Sequence, residues 1–172
     1  MHRKMRDRFS VTMRTREGHQ FNAQFGDPGA YPRPRKEIQN LPHRAVVTHR
    51  DSVAKAGDLV VYDGVEYLLC GQHVMANLKR FLAVEINARV RWVRAGDVID
   101  PVTLMKRSWD EVELDPQLSV TREPGRAFEE ADFKMSQNRM FTYADVQLGD
   151  RLDDMKVILV EDLFGIRMLE VA

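Results

Sequence analysis

The stretch Leu59-Val60-Val61-Tyr62-Asp63-Gly64-Val65-Glu66-Tyr67-Leu68-Leu69-Cys70 decides the fold of this chain. Two runs of apolar, β-branched and aromatic residues flank the pair Asp63-Gly64. A two-residue type I′ turn needs positive φ at both central positions, and Asp-Gly meets that need at low cost. The stretch therefore reads as an antiparallel hairpin, and Gly57-Asp58 marks the turn into its first strand.

Toward the C-terminus the chain breaks at Gly71-Gln72-His73, and Val74 to Lys79 reads as a loop or a short helical turn. From Phe81 to Val93 the residues alternate. Leu82, Val84, Ile86, Ala88, Val90 and Trp92 fall on one face, and Ala83, Glu85, Asn87, Arg89 and Arg91 on the other. Period two predicts one long, half-buried strand. Ala95-Gly96-Asp97 turns the chain, and Val98-Ile99 leads through Asp100-Pro101 into a predicted strand at Val102 to Met105. From Trp109 the pattern loosens and becomes acidic. Val112, Leu114, Leu118 and Val120 predict two short strands around Asp115-Pro116, Pro124-Gly125 is a breaker, and Ala127 to Phe133 is the best helical candidate. Leu148 to Leu152, Met155 to Val160 and Ile166 to Val171 predict three closing strands. One echo runs through the chain: Gly57-Asp58, a strand, Asp63-Gly64 and a strand are answered by Gly149-Asp150, a shorter strand, Asp153-Asp154 and a strand. Its simplest reading is that turns reuse the same residue chemistry, which supports an all-β meander.

Toward the N-terminus, Phe9 to Met13 alternates as a short strand before a turn at Glu17-Gly18. Phe25 to Arg35 holds three prolines and two glycines, which excludes a helix and argues against a central strand. That stretch is expected to run extended, either as a linker or as an arm on a neighbouring subunit with Tyr31, Arg33, Arg35 and Lys36 as contacts. The resulting expectation is a mainly β chain, a small antiparallel β-barrel or sandwich with an extended N-terminal arm and at most short helices. Residues 1–52 form the basic, Pro-rich arm, and residues 53–172 the barrel or sandwich with an acidic, irregular insertion near 109–140.

The net charge of zero conceals an uneven distribution. Residues 1–50 carry eleven Lys/Arg against four Asp/Glu, a net of +7, whereas residues 110–132 carry two against eight, a net of −6. Such polarity suits a nucleic-acid contact or the packing of unlike patches between identical subunits. Arg3, Lys4, Arg6 and Arg8 form a candidate basic patch for phosphates. No apolar run reaches the length of a membrane span, and no apolar segment follows the basic start as a secretory signal requires. The single cysteine, Cys70, has no internal disulfide partner and reads as a small buried hydrophobe.

Signatures of catalysis are weak. The chain has no phosphate-cradling glycine loop and no Gly-x-Ser-x-Gly elbow. His43 and His49 stand six apart, and one cysteine does not complete a thiolate site. Asp150, Asp153, Asp154 and Asp162 lack the spacing of a calcium loop. Neither a catalytic residue, a cofactor nor a metal is expected.

The run Ala54 to Leu69, with Gly57-Asp58, Asp63-Gly64 and Tyr67, resembles the opening hairpin of small β-barrel head-to-tail connector proteins of tailed phages. In those proteins a loop and a long alternating strand follow, here Phe81 to Val93, and Leu148 to Val171 is similar to their final hairpin. The resemblance implies a structural virion protein of the neck, a collar or completion ring, that assembles by subunit contacts and is not an enzyme. Its implied partners are copies of itself and other virion proteins such as portal, adjacent connector or tail proteins, with contact to packaged DNA as an option. Neither a membrane nor a small-molecule substrate is implied. It would reside in the virion after assembly in the host cytoplasm. The resemblance further implies that Met1 to Arg50 supplies extended contacts, while a docking loop bearing His73, Asn77 and Lys79 faces the channel or the next ring. A ring consists of heterologous contacts, which unlike charged patches suit. Alternative readings are a capsid decoration protein, a nucleic-acid-binding β-barrel using the basic N-terminal region, and, last, a hydrolase built on the acidic middle.

Overall fold

A computed structural model of the chain describes residues 10–27, 41–96, 98–99, 102, 106–107, 111–123, 138–163 and 165–172. Among them the regular structure is all β, with no helix. Strands β1 (Ser10–Thr15), β2 (Gln20–Gly26), β3 (His43–His49), β4 (Leu59–Tyr62), β5 (Val65–Met75) and β6 (Leu78–Glu85) close into an antiparallel barrel of order β1-β2-β3-β6-β5-β4. Strand β7 (Ala88–Ala95) opens a second barrel, and a short ribbon of β8 (Val98–Ile99) and β9 (Lys106–Arg107) follows it. Strands β10 (Glu111–Arg122), β11 (Asn138–Thr142), β12 (Arg151–Leu152), β13 (Met155–Leu163) and β14 (Ile166–Val171) complete that barrel in the order β7-β10-β11-β14-β13-β12. The chain divides into two units between Ile86 and Asn87, and Asp162–Ile166, around the turn of the last hairpin, belongs to the first unit. The expected antiparallel barrel is present, and the chain forms it twice.

The two barrels have one connectivity. In each, the first strand pairs the second, the second the third, the third the sixth, the sixth the fifth and the fifth the fourth, which closes on the first. The agreement reaches single residues. Met13 lies opposite Phe21 in the first barrel, and Val90 opposite Leu118 in the second. Val46 lies opposite Phe81, and Met140 opposite Leu169. Val60 on the fourth strand faces Thr15, and Leu152 faces Trp92. Each of these apolar residues belongs to the core of its own barrel. Ala54 and Val146, three residues ahead of Gly57 and Gly149, are likewise paired core positions. Even a polar detail repeats: Thr48 Oγ1 donates to the carbonyl of Asn22 at 2.8 Å, and Thr142 Oγ1 to that of Ser119 at 3.2 Å. Matched registers give matched interiors because inward positions recur every second residue along each strand.

The hairpin that anchored the sequence reading is β4–β5. Tyr62 pairs Val65 across Asp63 and Gly64, whose φ values of 50° and 77° are those the type I′ turn demands. The three closing strands also appear, as β12, β13 and β14.

Other expectations are corrected. Phe81 to Val93 is two strands in two units, because β6 ends at Glu85 and β7 begins at Ala88. The link has two residues, an even number, so the alternation runs through it unbroken. On β7 the expected face is right, with Val90 in the core; on β6 the core takes Phe81 and Ala83, while Leu82 and Val84 are buried on the opposite face. The segment from Val74 to Lys79 is neither loop nor helix, since β5 continues to Met75 and β6 starts at Leu78. The boundary near residue 52 gives way to the division after Ile86, because β1, β2 and β3 are staves of the first barrel. Phe25 and Gly26 are the last residues of β2, paired with Val46 and Ala45 of β3. The acidic middle holds one twelve-residue strand, β10, whose register shifts on either side of Asp115 take the place of an interruption at Pro116. Val102 lies in a turn. The Pro-rich stretch from Pro28, the helical candidate Ala127 to Phe133, and residues 103–105 lie outside the described residues.

Candidate functional site

Each barrel turns the same corner at the head of its fourth strand. Gly57 donates its N–H to the Leu69 carbonyl at 2.8 Å, and Leu69 donates back to Asp58 at 2.9 Å. Gly149 donates to Val157 at 2.9 Å, and Val157 donates back to Asp150 at 2.8 Å. Both glycines have φ of 92°, a conformation that glycine adopts without strain. The aspartates close the loop ahead of them: Asp58 Oδ2 accepts from the Lys55 N–H at 2.9 Å, and Asp150 Oδ2 from the Gln147 N–H at 2.9 Å. The sequence echo is thus a repeated structural device, and not only shared turn chemistry.

The corners differ in electrostatics. Trp92 stands opposite Leu152, where the first barrel has Thr15 opposite Val60, and Arg94 follows where the first barrel has Glu17. Asp150 accepts from Trp92 Nε1 at 2.8 Å and from Arg94 Nε and Nη2, each at 2.9 Å. Burial pushes the Asp150 carboxyl up, but the bonds from Arg94, the Gln147 N–H and Trp92 outweigh it and hold the group below the ordinary carboxylate range. Asp58 moves the other way. Burial raises it, Lys55 opposes, and the charge of Glu17 raises it further. With four donated bonds, from Trp92, Arg94 and the Gln147 N–H, the Asp150 carboxylate fastens the corner to β7.

The expected docking residues meet on one hairpin, β5–β6. Past a bulge between Cys70 and His73, with Gly71 at φ of 62°, β5 continues to Met75 against β6, which stays paired with β3 as far as Leu78. His73 lies on β5, Asn77 in the turn and Lys79 on β6. His73 and Asn77 are exposed, but Lys79 is committed to the fold: its Nζ donates to the carbonyls of Ser52 at 2.8 Å and Ala54 at 3.3 Å. The Asn77 carbonyl accepts from the Arg50 N–H at 3.0 Å, which fastens the tip to the loop after β3. Beside the polar His73 and Asn77, this end also exposes two large apolar residues, Val74 and Met75, which the sequence reading does not single out. Leu148, exposed beside the second Gly-Asp corner, was passed over as well.

Tyr31, Arg33, Arg35 and Lys36, and the basic patch of Arg3, Lys4, Arg6 and Arg8, lie outside the described residues. Among the described residues no group of three His, Cys, Asp or Glu side chains is placed to hold a metal ion, and no helix is long and apolar enough to cross a membrane. Cys70 is fully buried, its Sγ donating to the Leu82 carbonyl at 3.4 Å, and burial pushes its thiol up to about 12. It packs as the small hydrophobe the sequence suggested. No family model, no curated protein and no solved structure matches this chain.

Proposed function

We propose that this chain is a structural protein that works by assembling with copies of itself, as a ring of the head-to-tail connector of a tailed-phage particle. The observation that carries this reading is a chain of two closed barrels, the first with a β5–β6 hairpin whose end exposes Val74 and Met75. Closed barrels hide their strand edges, so contact with other chains falls to what stands out from the wall. The two ionic groups of one polar node, Arg94 and Asp150, bond to each other, and the Trp92 indole donates to the same carboxylate. In this reading the portal, a neighbouring connector ring or the tail takes one face of the ring, and the catalytic role is nil. The basic residues Arg33, Arg35 and Lys36 reach the adjacent subunit, and changing all three to Glu weakens assembly without unfolding the barrels. Electron microscopy of the purified protein, with mass measurement, tests the proposal. Symmetric rings of one mass class are expected; a single globule at every concentration would refute it.

The net of +7 over residues 1–50 favours a second reading, a nucleic-acid-binding β-barrel acting through Arg3, Lys4, Arg6 and Arg8. It requires DNA binding that weakens as salt rises, and filter binding with no such dependence removes it.

A further inference from the structure

We infer that the aromatic end of the first barrel holds the Pro-rich segment of a second copy, Tyr31-Pro32-Arg33-Pro34, so that copies join head to tail. The inference rests on the assembly reading above and names its two surfaces. Phe25, Tyr62 and Tyr67 each stand two positions from a core residue, Ala23, Val60 and Leu69 in turn, and so point inward. Strand β2 ends one residue past Phe25, and β4 ends at Tyr62, where the turn into β5 begins. The three half-buried rings therefore close one end of the barrel. Phe25 stands between the tyrosines, its ring centroid 5.0 Å from that of Tyr62 at 53° and 5.1 Å from that of Tyr67 at 63°. Rings tilted in this way leave wedges between them, and aromatic wedges hold the pyrrolidine rings of extended Pro-rich segments.

The sister barrel ends differently. Phe25, opposite Val46, corresponds to Arg122, opposite Met140, and Tyr67, two residues ahead of Leu69, corresponds to Met155, two ahead of Val157. Arg122 donates to Asp153 at 3.0 Å. The same connectivity thus closes without aromatic rings, so the core does not demand them of the first barrel. That end also carries exposed carboxylates, Glu85 directly opposite Tyr67 and Asp63 next to Tyr62 in the turn. Burial and then the Glu85 charge push the Tyr67 hydroxyl up. Arg44, whose charge also reaches Tyr67, is bonded to Asp27.

The occupant follows from charge and from where the chain leaves the described residues. Residues 28–40 hold three prolines, and Arg33, Arg35 and Lys36 against Glu37, a net of +2. The prolines suit the rings, and the cations suit the carboxylates beside them. This segment begins at Pro28, three residues past Phe25, at the end of the barrel that bears the rings. An extended Pro-rich run rises about 3.1 Å per residue, which carries Pro32 roughly 15 Å from Asp27 and away from its own rim. The rings it reaches are those of a second copy. Segment and rings are different surfaces, so the contact is heterologous and repeats from copy to copy until a ring of subunits closes.

Two double variants test this. Pro32→Ala with Pro34→Ala disables the segment and changes no residue of a described strand. Tyr62→Thr with Tyr67→Thr removes two rings and keeps β-formers in their places. Circular dichroism and thermal melting check that each variant is folded, and if the threonine variant is not, the alanine variant alone decides. In sedimentation velocity the parent chain forms oligomers as concentration rises, and each variant alone stays monomeric. Mixed in equal amounts, the variants form a one-to-one dimer and nothing larger, since only one competent segment and one competent aromatic end remain in each pair. If the parent assembles and either folded variant assembles equally well, the surfaces are wrong and the assembly reading survives. If the parent is monomeric at every concentration, both fall. If the alanine variant shifts the Tyr67 ring signals in NMR spectra of dilute monomer, the segment sits on its own barrel, and the contact between copies is refuted.

Discussion

A β-carbon built on Gly57 would lie 2.8 Å from the carbonyl oxygen of Gly165, so two backbones more than a hundred residues apart meet with no side chain between them. Gly57→Ala must displace that backbone and also hold alanine at a φ of 92°. Its expected cost is about 3 kcal/mol. Gly149→Ala carries the same dihedral penalty with open space around it, and should cost about 1 kcal/mol. Urea unfolding of the two variants measures the difference; equal losses would contradict the close approach.

Asp150 and Arg94 make the pH dependence of the second barrel predictable. The folded carboxyl titrates below its ordinary value of 3.8. The stabilisation it brings is therefore complete above the unfolded value and lost as pH falls through the folded one. Arg94→Met leaves the carboxylate buried without its main partner and should cost about 3 kcal/mol at neutral pH. The penalty should shrink below pH ~4, where the acid becomes neutral. A penalty independent of pH would mean that Arg94 matters for its packing alone.

Asp58 has the opposite sign. Its folded carboxyl titrates above 3.8, so the stability linked to it is present below that value and lost as pH rises through the folded one. Glu17→Gln removes a repelling charge and should bring the Asp58 titration down. Glu17→Arg, which copies the second barrel's Arg94, should lower it further. Carboxyl chemical shifts followed by NMR read this directly, and an Asp58 titration that does not move would show that Glu17 has no hold on it.

The Cys70 thiol, pushed up to about 12 and sealed in the wall of the first barrel, should resist thiol reagents. At pH ~8 its reaction with an aromatic disulfide should be slower than in the urea-unfolded chain by about a thousandfold or more. Rapid labelling of the native protein would mean that this part of the wall opens readily.

The local half of this fold is legible in the sequence, and the long-range half is not. Asp63-Gly64 fixes its hairpin because two backbone angles demand those residues, and Gly149 signals its corner because one such angle does. The division after Ile86 is hidden because a two-residue link preserves the alternation from β6 into β7. The face of β6 is hidden because Leu82 and Val84 are buried as well as Phe81 and Ala83. At the site, His73, Asn77 and Lys79 do fall on one hairpin, yet the commitment of Lys79 to Ser52 and Ala54 depends on a loop 25 and 27 residues away. Trp92, Arg94 and Asp150 meet across 56 to 58 residues of chain, which no local pattern announces.

The assignment of Asp162–Ile166 to the first unit means that this unit is completed only by a segment synthesised almost last. The ribosome finishes Ile86 long before it reaches Gly165, so the nascent first barrel must wait, its Ala56–Gly57 corner uncovered, for a piece made almost last. A polypeptide stalled anywhere before residue 162 would display that bare corner to the cell's proteases.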